Sequence, residues 1–282
     1  MSENQNVVAE DAQSVTKKSK SNLAFAFLCV PKQRRADMVK FYAYCRQVDD
    51  IADDTELAVD EKRARLQTWK QGLRQGFVDP TPVQESTVDL FEKYNIDPEV
   101  PIEIIDGMEM DLEKKRYETW DELKLYCYRV ASVVGIVSQR IVGCTQPESV
   151  AYWVALGYAL QVTNIMRDVG KDYRDDDRIY LPREDMERFA YTEDLLAAGV
   201  ADDRFVELME YQRGRAEAFY TEALSNVTAP DRAALRVGEA MRMIYSGILA
   251  NMKRDGYRVF DTDYRLSKIR MLAILASCRL MG

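Results

Sequence analysis

With 282 residues and 47% hydrophobic content, the chain can bury a core large enough for one domain. Its formal net charge of -8 argues against a nucleic-acid footprint, which needs an excess of Lys and Arg. The absence of histidine excludes His-activated nucleophiles, His-bound zinc and proximal-His haem. Five cysteines (Cys29, Cys45, Cys127, Cys144 and Cys278), odd in number and without Cys-x-x-Cys spacing, point to neither a disulfide framework nor a zinc knuckle, so a reducing cytoplasm is expected. No apolar run approaches the ~20 residues of a membrane span, and the N-terminus lacks the basic-then-apolar order of a signal peptide.

In chain order, residues 1–18 are polar, small and aperiodic, and are expected to be disordered ahead of a single domain over 19–282. Apolar periodicity then predicts helices over 32–54, 60–76, 84–94, 99–112, 120–143, 147–173, 193–199, 202–226, 230–254 and 264–280. The prolines fall between the apolar-periodic stretches, as helix boundaries require. Capping boxes are expected at Thr119 to Glu122 and at Thr145 to Glu148. The stretch 174–184 is the longest predicted irregular connection, and no alternating strand pattern competes. The expected architecture is a single-domain all-α bundle with a central cavity.

Two acidic clusters stand out. In the first helix Phe41, Tyr42, Tyr44, Cys45, Val48 and Ile51 leave little surface for solvent, yet Arg46, Asp49 and Asp53 lie near one face. An internal Arg46-Asp50 pair on an exposed helix end is the plainer reading of that cluster alone. The later helix is apolar around nearly its whole circumference from 150 to 166, so Gln161, Asn164, Asp168 and Asp172 form a polar stripe on a buried rod. Unpaired buried polar groups are destabilising, and carboxylates four apart suit a divalent cation. Mg2+ takes oxygen ligands and shares them with phosphates, so two such faces across a cavity suggest a diphosphate substrate clamped through metal.

The run from Tyr42 through Arg46, Asp49, Asp50 and Asp53 to Asp54 resembles the first aspartate-rich motif of the squalene/phytoene synthase family. Gln161 to Asp172, followed by Arg178-Ile179-Tyr180-Leu181-Pro182, resembles its second motif. Tyr126 to Gly135 resembles the intervening helix, and Ser19 to Phe27 the opening segment. The resemblance implies an all-α isoprenoid synthase fold that joins two prenyl diphosphates head to head with Mg2+, for which Mn2+ can substitute, and a tunnel for the chains. It implies that Asp49 and Asp53 bind metal on one side and Asn164, Asp168 and Asp172 on the other. Arg46, Arg167, Arg178 and Tyr180 would meet diphosphate oxygens, with structural ion pairs to neighbouring aspartates as the alternative for the arginines. Ser19, Ser21, Tyr42 and Gln161 are carried over as further substrate-binding positions.

Tyr126 would lie near the reacting carbons, to take part in proton transfer or to face a cation with its ring; the alternative is a core tyrosine. Val130, Ala131, Val134, Gly135, Gly157 and Leu160 suit a tunnel lining or plain packing. Lys171 stands where the family often has an acid, and residues 173–177 contain about one residue more than usual. The second motif resembles bacterial squalene-pathway synthases, implying two farnesyl diphosphates and presqualene diphosphate; phytoene synthesis from geranylgeranyl diphosphate is the alternative. A terpene cyclase would carry Ser or Thr and then Glu at the positions of Asp168 and Asp172, and a non-catalytic relative would show degraded motifs. No C-terminal anchor of the kind expected of the reductive eukaryotic enzyme is read in the sequence, so NADPH is not expected. Expected partners are prenyl diphosphates, downstream isoprenoid-pathway enzymes and the inner membrane face, touched peripherally, but no nucleic acid.

Overall fold

The structure, a computed structural model, describes residues 25–280. The expectation of disorder over 1–18, and the candidates Ser19 and Ser21, lie outside the described residues. Two 3-10 turns, Phe27–Cys29 and Lys32–Arg34, lead into α1 (Arg35–Asp53), α2 (Val59–Gln75), α3 (Pro82–Lys93) and α4 (Glu99–Glu113). Then come α5 (Trp120–Cys127), α6 (Val133–Val142), α7 (Glu148–Asp176), α8 (Arg183–Arg188), α9 (Glu193–Ala197), α10 (Asp203–Ser225), α11 (Arg236–Arg254) and α12 (Lys268–Leu280). No strand forms among the described residues, and an isolated parallel bridge joins Arg116 to Ile179.

The apolar circumference of α7 makes it the axis of the bundle. It packs most extensively on α10 and also meets α5, α6, α9 and α11, burying Tyr152, Leu156, Ala159, Val162 and Met166. Its polar stripe is set apart from these contacts: Gln161, Asn164, Asp168 and Asp172 are each only partly buried. Among the described residues no helix is long and apolar enough to cross a membrane.

The predicted helix over 120–143 is broken by one π-helical turn, Tyr128–Ser132, where it crosses α7. Such turns widen a helix locally and are frequent at functional sites. Here the Ser132 hydroxyl donates to the Val154 carbonyl at 2.8 Å, and residues 128–131 stay partly accessible. Gly135 and Gly157 do not line a tunnel. A Cβ on Gly157 would sit 2.5 Å from Ser132 Cα, and one on Gly135 would sit 2.8 Å from the Trp153 carbonyl oxygen, so both glycines let α6, the π turn and α7 approach closely.

Other boundaries move for identifiable reasons. Thr145 does not close a capping box on α7. Its N–H and hydroxyl donate to Asp231 at 2.9 and 2.8 Å, and Gln146 N–H and Ser149 hydroxyl donate to the same carboxylate at 2.8 and 2.6 Å. Asp231 is held as this acceptor, and α11 begins at Arg236 instead of 230. Thr119 does cap α5, accepting from Glu122 N–H at 3.3 Å, but the Glu122 side chain reaches back to the Glu118 N–H. The last helix starts at Lys268 rather than 264, because the Tyr264 hydroxyl is engaged with Arg258 N–H and Asp255.

The stretch 174–184 is more ordered than predicted. α7 continues to Asp176, and Asp177 ends it in the left-handed region at φ 54°. Pro182 precedes the short, unpredicted α8.

Gly157→Ala is expected to lower stability by about 1–3 kcal/mol in urea denaturation. Gly214→Ala, whose Cβ meets nothing within 4 Å, should be neutral or slightly stabilising in the same assay.

Candidate active site

The last two turns of α1, the end of α4, the end of α5, the C-terminal half of α7 and the segment after it bring their polar side chains into one region. At its centre is a residue not singled out from the sequence. Asp111, on the last turn of α4, accepts hydrogen bonds from Tyr126 (2.9 Å) and Tyr180 (3.0 Å), whose hydroxyls are 3.2 Å apart. The Arg178 guanidinium donates to the Asp111 carbonyl at 3.1 Å and lies 3.9 Å from Asp176, while its Nε is buried without a partner. Arg178 is positioned by the end of α7: its N–H donates to the Asp172 carbonyl at 3.0 Å, and the next N–H, from Ile179, donates to Lys115.

The rings of Tyr117, Tyr126 and Tyr180 pack together, with centroids 5.1–5.8 Å apart. Burial, then the Asp111 charge, pushes the phenols of Tyr126 and Tyr180 well above their ordinary range, so both stay protonated as donors. Tyr126 is therefore a poor base in the free protein, and the face of its ring is its more serviceable feature.

The two acidic clusters feel one another. Burial first, then Asp53, pushes the Asp49 carboxyl up to about 6; Asp50 and Asp111 add to this and Arg46 opposes it. Asp53 is raised by burial and by Asp176 on α7, against the pull of Arg178. Asp172 is pushed up to about 7 by burial, then Asp168, with Asp176 adding and Lys171 and Arg178 opposing. Burial also lifts Asp111 to about 6, although Arg178 and both tyrosines favour its charged form. The site thus holds more negative charge than its own cations neutralise.

The arginines have partners within the chain. Arg46 pairs with Asp49 at 2.8 Å and Asp50 at 2.6 Å. Arg167 forms a two-pronged contact with Asp168 (2.9 and 2.5 Å) and lies 6.0 Å from the centre of the Tyr245 ring. Tyr42, one turn before Arg46, packs edge-on against Phe27 at 5.9 Å. Asn164 faces the same way as Asp168, one turn earlier, and its buried Oδ1 has no hydrogen-bond partner. Gln161 precedes it on that stripe.

Among the described residues no three acidic side chains are close enough to cage a metal by themselves. Mg2+ keeps waters and takes part of its shell from phosphate oxygens, so it does not need an all-protein cage. The unpartnered Asn164 oxygen and the raised carboxyls of Asp49 and Asp172 fit such an ion.

Asp111, Tyr117 and Tyr245 were not found by sequence reasoning. Asp111 lies in Glu109-Met110-Asp111-Leu112-Glu113, a run that reads as an ordinary acidic helix end, and its tyrosine partners are 15 and 69 residues away.

A model of the squalene/phytoene synthase family matches residues 16–270. The chain is 34% identical over 267 residues to 15-cis-phytoene synthase of Synechocystis sp., covering 89% of this chain and 78% of that one. It is 37% identical over 251 residues to phytoene synthase of Arthrospira platensis, covering 82% and 79%. Among solved structures, a dehydrosqualene synthase in complex with ligand superposes with a TM-score of 0.84 at 28% identity, covering 98% of this chain and 96% of that one. A squalene synthase from Alicyclobacillus acidocaldarius gives 0.79 at 28% identity, covering 90% and 95%.

The carboxyl shifts give a pH dependence of stability. On unfolding, Asp49, Asp111 and Asp172 return to the ordinary aspartate range near 4, so between there and about 6 to 7 the folded chain binds more protons. Their contribution is complete below the unfolded value and is lost as pH rises through 6 to 7. Without metal, the melting temperature is expected to be lower at about pH 8 than at about pH 5, and a rise across that window would contradict the assignment.

Proposed function

The chain belongs to the squalene/phytoene synthase family of prenyltransferases that join prenyl diphosphates head to head, and we propose that its facing acidic walls hold two geranylgeranyl diphosphates with Mg2+. The observation that carries the reading is the electrostatic coupling of Asp49 and Asp53 on α1 to Asp111, Asp176 and Arg178, on the side where Asp168 and Asp172 lie. The C20 substrate is favoured by the phytoene synthases at 34% and 37% identity. Two farnesyl diphosphates giving presqualene diphosphate, the reading favoured by the second motif, is supported by the dehydrosqualene and squalene synthase structures at 28% identity.

Asp49, Asp53, Asn164, Asp168 and Asp172 would supply metal ligands. Bound Mg2+ contributes charge neutralisation at the diphosphate leaving group. Arg46 and Arg167, now paired with aspartates, would meet diphosphate oxygens with Arg178, whose Nε has no partner. Departure of the diphosphate leaves an allylic cation, attacked by a double bond of the second substrate; loss of a proton to the departed diphosphate closes a cyclopropylcarbinyl diphosphate. The rings of Tyr126 and Tyr180 stabilise positive charge. Asp111 keeps the hydroxyls of Tyr126 and Tyr180 engaged. Val130, Ala131, Val134 and Leu160, all partly accessible, provide apolar wall for the chains and keep water from the cation.

Asp49→Asn and Asp168→Asn are each expected to abolish turnover while leaving the far-UV circular dichroism unchanged; near-normal activity in either would defeat the metal assignment. Mg2+ should raise the melting temperature at about pH 8 for the parent chain and not for Asp168→Asn, because binding to the folded state alone stabilises it. Incubation with geranylgeranyl or farnesyl diphosphate and Mg2+, with and without NADPH, followed by mass analysis, tests chain length. A C40 product, phytoene or its cyclopropylcarbinyl diphosphate precursor, formed in preference to C30 and unaltered by NADPH, is the expected result.

A further inference from the structure

The described C-terminal helix carries a surface that prenyl transfer leaves unused. On α12, Ile269, Leu272, Ala273 and Ala276 are exposed, Ile269 at 80% and Leu272 at 61%. Their spacing of three, four and seven residues places them along one side of the helix. Leu275 and Cys278, on the other side, are buried, and α12 packs on α11 and the Phe27–Cys29 turn. The helix is therefore apolar on two faces, with one face in the core and the other in water. Among the large apolar side chains described, only Val78 is more exposed than Ile269, and Val78 stands by itself in a loop.

Charge singles out the same surface. In a chain of net charge -8, residues 264–282 contain Arg265, Lys268, Arg270 and Arg279 and no acid. Lys268 and Arg270 are exposed and have no carboxylate within ion-pair distance among the described residues. Arg270 reaches Asn251 at 3.5 Å, which puts the first turn of α12 beside the end of α11. The acids of the intervening segment are engaged: Asp261 with Arg258, Asp263 with Arg265, and Asp255 with the Tyr264 hydroxyl.

We propose that the Ile269–Leu272–Ala273–Ala276 face of α12, flanked by Lys268 and Arg270, docks on an anionic lipid surface. An exposed apolar stripe flanked by unpaired cations inserts at the headgroup boundary while its charges meet lipid phosphates. Two large and two small side chains fall well short of the roughly 800 Å² per partner that a stable protein interface buries. A membrane needs no matching partner surface. The docking would place this end of the molecule at the lipid boundary whatever reaction the site performs.

The test is co-sedimentation of the full chain with vesicles of phosphatidylcholine alone or mixed with phosphatidylglycerol. Binding is expected to the mixed vesicles only, and to weaken at high ionic strength. The double variants Ile269→Asp/Leu272→Asp and Lys268→Glu/Arg270→Glu should each bind at least about tenfold more weakly, with circular dichroism and prenyl transfer from dispersed substrate unchanged. Absence of vesicle binding, or equal binding by either variant, would overturn the proposal. So would concentration-dependent dimerisation abolished by Ile269→Asp/Leu272→Asp, which would assign the face to a second copy. The vesicle assay contains no prenyl substrate, so its outcome and that of the reaction are read separately.

Discussion

Crowding carboxylates on two walls with too few cations between them is the constraint on which the rest of this structure depends. Asp49, Asp111 and Asp172 are all pushed toward neutrality, burial being the largest cause and neighbouring aspartates adding to it. Such an arrangement is unfavourable in the empty protein, and under the proposed function bound dications would supply the missing counter-charge. The strain is stored at the place where binding relieves it.

Holding like charges together requires a stiff frame. α7 supplies it by being apolar on the sides that meet its neighbours, so its position is fixed by packing and its polar stripe has nowhere else to point. The glycine contacts at Gly135 and Gly157 bring the α5–α6 rod against α7 closely enough that the π turn, Tyr126 and Asp111 sit over that stripe. A larger residue at Gly157 would push the π turn away from α7.

The aromatic cluster has a different task from the acids. With Tyr126 and Tyr180 bonded to Asp111 and their phenols pushed up, these hydroxyls are occupied, and the two rings stack with centroids 5.1 Å apart. In a pocket where a carbocation must survive, a surface that attracts positive charge without offering a free nucleophile is well suited. Arg46 and Arg167 are paired with aspartates in the empty state, and under the proposed function would exchange them for phosphate oxygens.

The helical fold and both acidic clusters were legible in the sequence, since they are carried by short-range periodicity: apolar residues at helical spacing and carboxylates four apart on the same rods. Local rules misjudged the helix ends at Thr145, at 230 and at 264, where the deciding acceptors and donors include Asp231, 86 residues from Thr145. Asp111 was invisible for the same reason, as its acidic stretch looks like any solvated helix end until Tyr126 and Tyr180 are brought to it. The glycines at 135 and 157 likewise fit a tunnel or a close crossing equally well from composition. Periodicity within one helix specifies which face is buried, but which residues from separate helices meet there is decided only when the rods pack, because those contacts have no imprint in local sequence.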